Sequence, residues 1–234
     1  MTVQPYKARS ARGLLSRLKS DRSGIAMVEF ALGLPLLSFI SVGGMELTNY
    51  SAAKMRASQI ALMVADNAGR VRVSIDETDI DEVMIGAQIE GEYMNFGEHG
   101  RVVLSSLEHN GLTGTNEGQK IRWQRCFGQK RIKDAAGVTI VSSYGLEGQG
   151  TTDNTLAAGM GPPGKKIKAL TNMIVMFVEL SYDYDPIVSE KILGPKLVTS
   201  TAAYIVRERT NQTVTNTAPL PAEKIRTCNF YKST

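Results

Sequence analysis

The chain has 234 residues with 27 Lys and Arg, 23 Asp and Glu, two cysteines and two histidines, for a net charge of +4. Six basic residues (Lys7, Arg9, Arg12, Arg17, Lys19, Arg22) precede Gly24 against Asp21 alone, so the leader carries +5 and the remainder −1. A nearly neutral body lacks the electrostatic footprint that nucleic acid requires, which excludes nucleic acid as a partner. With two distant histidines and no C-x-x-C, the composition also gives no metal centre and no evident catalytic constellation, so neither enzyme activity nor a cofactor is expected.

Residues 1–24, rich in Arg, Lys and Ser, read as a basic leader without a fold of its own. Gly24 to Met45, GIAMVEFALGLPLLSFISVGGM, is a near-continuous apolar run. About 20 apolar residues in a helix span a hydrocarbon core of about 30 Å, so a lipid bilayer is the expected partner of this run. The basic leader keeps the N-terminus cytoplasmic and sends the C-terminal side across. Glu29 sits inside the run, where an acid is a functional hypothesis by default. Pro35 is the expected helix kink, with Gly43-Gly44 as a second soft point.

Beyond Met45 the apolar positions Leu47, Tyr50, Ala57, Ile60, Ala61, Val64, Ala65 and Ala68 fall at helical spacing, so residues 25–69 predict one hydrophobic, then amphipathic, spine helix of about 66 Å ending at Gly69. Ser74 and Glu77 have capping-box spacing, and Ile80, Val83, Met84 and Ala87 predict a short second helix ending before Gly91. Strands are predicted at Arg101–Glu108 and Gln119–Cys126, joined by the turn-rich HNGLTGTNEG, then at Ile174–Tyr184 and Leu197–Arg207. Tyr144–Lys166, dominated by Gly, Thr, Asn and Pro, reads as a surface excursion. GMGPPGKK (159–166) superficially resembles a P-loop, but Lys166 stands at its Ser/Thr position and two prolines remove the amides a phosphate needs. Asp183 and Asp185 as calcium ligands are weaker than their reading as solvated strand-end carboxylates. Cys126 and Cys228 read as one disulfide of an exported domain.

The expected architecture is α+β: a long membrane-spanning helix carrying a head, residues 70–234, of one short helix and an antiparallel sheet of about four strands.

Gly24 followed by IAMVEF, after a basic leader and ahead of a hydrophobic helix, resembles the class III-type leader of a type IV prepilin. More narrowly, SGIAMVEFALGLPLL resembles the opening of TadE-like proteins, minor pseudopilins of tight-adherence (Tad or Flp) pili; IRWQRCFG (121–128) and VELSYDYDP (178–186) are similar to TadE-type sequence. The resemblance implies cleavage by a prepilin peptidase between Gly24 and Ile25, leaving Glu29 fifth in the mature chain. It also implies a pilin-like head in the periplasm, a start in the bacterial inner membrane and later association with the pilus. The implied partners are the prepilin peptidase, the major pilin, other minor pseudopilins and the inner-membrane assembly platform. Glu29 would pair with the N-terminal amine of a neighbouring subunit, because either charge alone in lipid is expensive. The alternatives are an uncleaved single-pass membrane-anchored binding protein or enzyme, and a secreted domain released near Ser51-Ala52-Ala53.

Overall fold

The computed structural model describes residues 24–188, 196–209 and 211–233, with Lys19, Arg22 and Gly194. The basic leader predicted at residues 1–24 therefore lies almost wholly outside the described residues. The chain divides into two compact units, residues 1–47 and 48–234.

Helix α1 spans Ile25–Arg70 and is assigned without a break through Pro35 and Gly43-Gly44. Within the second unit its inner face is small: Ala53, Ala57, Ala61, Ala65 and Ala68 are buried with Ile60 and Val64. Alanine favours the helix and lets its axis approach the sheet closely. The predicted stripe is confirmed from Tyr50 onward, whereas Leu47 is exposed. The helix passes the predicted Gly69 cap by one residue, because its last carbonyls find donors from another part of the chain. Arg209 donates to the carbonyls of Ala68 and Val71, and the Arg207 amide donates to that of Gly69 at 3.2 Å. Terminal helix carbonyls need such partners.

Helix α2 (Glu77–Glu90) starts at a capping box two residues later than the predicted Ser74/Glu77 pair. Asp76 is the N-cap and Asp79 reaches back to its amide at 2.8 Å. Ile80, Val83, Met84 and Ala87 are its buried stripe, as predicted. Glu77 instead turns inward to a bidentate pair with Arg125, and Asp81 pairs with Arg226. A single turn, α3 (Phe96–His99), leads into the sheet.

The sheet comprises β1 (Gly100–His109), β2 (Gln119–Phe127), β5 (Ile174–Tyr184) and β6 (Lys196–Ile205), all antiparallel in the order β2-β1-β5-β6. Two-residue strands β3 (Ile132–Lys133) and β4 (Thr139–Ile140) form a separate hairpin. The α+β architecture with a four-stranded antiparallel sheet is thus observed.

The alternation of β5 sends Ile174, Met176, Val178, Leu180, Tyr182 and Tyr184 into one core with α1 and α2. Val175 and Phe177 face the opposite side. Between Ser105 and Leu107 the register slips: two steps on β1 match three on β2. That bulge places Trp123 in the helix-side core and Ile121 on the other face.

The far face is covered by the segment read as a surface excursion, which corrects that reading. Leu156 and Met160 are buried against Leu107, Ile121, Val175 and Phe177, and Tyr144 packs edge-on to Phe177 at 5.7 Å. Asn110 organises this layer. Its amide nitrogen donates to the carbonyls of Asn116, Gly150 and Asp153, while its oxygen accepts from the amides of Leu112 and Gly118. At Gly150, with φ +78°, a Cβ would lie 2.0 Å from the Gln119 carbonyl oxygen. The PPGK stretch closes a small hairpin in which Met160 and Ile167 exchange both backbone bonds, with Gly164 at φ +77° in its turn.

Candidate functional site

The first unit presents an unusual surface. Ile25, Met27, Val28, Phe30, Leu32, Leu34, Leu36, Leu37, Phe39 and Ile40 are all exposed, so the helix is apolar around its whole circumference. None of its most hydrophobic 18-residue window is buried within the chain, and α1 is long and apolar enough to cross a membrane. A helix apolar on every face is stable only when lipid or protein surrounds it. This surface suggests a membrane anchor.

Its N-terminal end carries the sequence-predicted site residues. The Gly24 carbonyl accepts from the Val28 amide at 3.1 Å, and the Ile25 amide donates to the Arg22 carbonyl at 3.2 Å, so the Gly24–Ile25 peptide sits where the helix begins. A Cβ built at Gly24 meets nothing within 4 Å, and the residue is not in the left-handed region. The fold therefore gives no reason for glycine here.

Glu29 lies four residues, one helical turn, beyond Ile25 on this surface. It is exposed, is the only ionisable side chain from Gly24 to Met45, and has no ion-pair or hydrogen-bond partner among the described residues. The helix supplies both elements that a pairing with a neighbouring amine needs: an accessible carboxylate and a nonpolar setting that strengthens the attraction.

In the second unit the residues with titratable chemistry are held structurally. His109 Nδ1 accepts from the Gly111 amide at 3.0 Å, fixing a turn. Asp183 is neutralised by Lys130. Glu179 is buried and accepts from the Ser142 hydroxyl at 2.7 Å and the Ser143 amide at 3.0 Å. A polar cleft is lined by Arg56, Tyr93, His99, Tyr182 and Asp185. Among the described residues no three potential metal ligands converge.

Cys126 and Cys228 form the expected disulfide, across 102 residues of sequence. Beside it lies a feature that sequence reading missed. Arg101 is buried, and its guanidinium donates to the carbonyls of Gly128 (2.7 Å), Cys228 (2.7 Å) and Phe230 (2.9 Å) while stacking 4.2 Å over the Tyr231 ring. Burial lowers its pKa to about 10, which leaves it protonated at neutral pH. The only sequence signal was a lone cation at the start of a stretch otherwise free of charge, GRVVLSSL.

Comparison with protein-family models, with curated proteins and with solved structures finds no match to this chain.

Proposed function

We propose that this chain is a minor pseudopilin of the tight-adherence type: a membrane-anchored, non-enzymatic subunit that primes, caps or enters a Tad/Flp-type pilus. In this reading a prepilin peptidase cuts between Gly24 and Ile25, the head lies in the periplasm, and the exposed helix surface passes from lipid to the helices of the major pilin and other minor pseudopilins at the assembly platform. The carrying observation is the lone Glu29, without a side-chain partner among the described residues, one turn from Ile25 on a surface otherwise apolar all round. A second support is that Gly24 occupies open space, so its identity is free to serve recognition; a residue without Cβ lets a protease approach the extended backbone closely.

The test is the N-terminal peptide of the protein from membranes and from sheared filaments, read by mass spectrometry. A terminus at Ile25, lost in Gly24→Leu without loss of the folded head, is expected. A retained leader in the wild-type chain would refute processing and leave an anchored periplasmic protein. A terminus at Lys54 would mean release.

A further inference from the structure

The two edges of the four-stranded sheet are treated differently. Along β2 the outer backbone is occupied: Ile121 exchanges bonds with Gln149 and Gly148, Gln124 donates to Glu147, Cys126 to Arg226 and Gly128 to Lys232. Along β6 it is open. The Val206 amide donates to Ile174, which fixes the phase of the β5–β6 ladder. Residues 196, 198, 200, 202 and 204 then bond inward, and the backbone groups of Leu197, Thr199, Thr201, Ala203 and Ile205 point outward. Among the described residues nothing bonds to them.

Among the described residues no element bonds to this edge, and Lys196 at its start is its one charged residue. The strand is ten residues long and lacks Pro, and no charge falls between Leu197 and Ile205. Its sequence is also self-complementary. Turned antiparallel about Thr201, LVTSTAAYI sets Leu197 opposite Ile205 of a second copy, Thr199 opposite its Ala203 and Thr201 opposite its Thr201. The two large apolar residues, 56% and 54% exposed, cover each other, and small or β-branched residues fill the centre.

We propose that β6 docks on β6 of a second copy in this register, joining two four-stranded sheets into one of eight strands. Because β2 is sealed, each copy offers one free edge of this sheet, so the contact closes as a two-fold dimer and does not propagate along the sheet. The inference rests on neither cleavage at Gly24 nor entry into a filament.

The test uses full-length chain with Gly24 intact, in membranes. Both natural cysteines are consumed by their disulfide, so an added cysteine reports alone. On oxidation, Thr201→Cys should give at least about 10-fold more covalent dimer than Thr199→Cys or Ala203→Cys alone, because only the first lies on the axis. Its Cα would face its counterpart at about 5.5 Å, within disulfide reach. Differently tagged Thr199→Cys and Ala203→Cys chains, coexpressed, should give the crossed dimer. Adding Thr201→Pro to that pair should abolish it, since this proline deletes an outward N–H and no ladder bond. A Thr201→Cys chain that stays monomeric yet reacts with maleimide overturns the proposal. So does equal dimer at all three positions, which is random collision, or an adduct with a different protein, which gives the edge to a foreign strand.

Discussion

Asp76 joins two segments, the start of α2 and residues 215–217, through one carboxylate. It accepts from the Thr78 amide at the start of α2, from the Thr215 hydroxyl at 2.9 Å, and from the Thr217 amide and hydroxyl at 2.7 and 2.8 Å. Partial burial opposes ionisation, but the bonds from Thr217, Thr78 and Thr215 outweigh it and hold the carboxyl well below the usual carboxylate range. The folded value being depressed, the stabilisation is complete above about pH 4 and is lost as pH falls through the folded value. The urea midpoint of the wild-type head should therefore fall more steeply below about pH 4 than that of Asp76→Asn, whose amide still caps the helix. Glu29 is the opposite case, a carboxylate with no side-chain partner among the described residues. Under the pseudopilin reading, Glu29→Leu should leave cleavage at Ile25 intact and abolish recovery in sheared filaments; wild-type piliation by that mutant would defeat the charge-pairing idea.

Among the elements, the sheet was the most legible from sequence. Two faces alternate through β5 from Ile174 to Tyr184, and this period sorts residues correctly because each face meets its own core. Residues 144–169 were not legible. Their layer is held by backbone bonds to Asn110 and Gln119 and by a few apolar residues such as Leu156 and Met160, so neither helical nor strand period marks it. Gly, Asn and Pro signal turns, and turns can cover a sheet when an asparagine satisfies their carbonyls. Leu156→Ala should accordingly cost about 2–5 kcal/mol in denaturant unfolding. A surface residue would cost within about 0.5 kcal/mol, and that result would return the segment to the surface. The bulge in β2 and the Arg209 cap of α1 were hidden for a related reason: each depends on partners distant in sequence.

For the whole molecule, sequence prescribed an apolar helix and an α+β head, while strand order and the closure of the β2 edge emerged only in three dimensions. The disulfide holds that closure. Replacing Cys126 and Cys228 by serine should lower stability by up to about 4.7 kcal/mol on the chain-entropy model for a loop of about 100 residues. A drop in the thermal midpoint of the oxidised head to that of the double-serine chain on addition of reductant would be the matching observation. Arg101 makes the same closure matter during biosynthesis. Two of its three carbonyl partners follow it by 127 and 129 residues, so a strand at the centre of the sheet emerges with a cation it cannot yet satisfy. Until that distant segment is in place, dry burial of Arg101 is unfavourable, and the head is kept from locking prematurely into a partial fold. Completion of the chain is thereby written into the core as a condition for closing it.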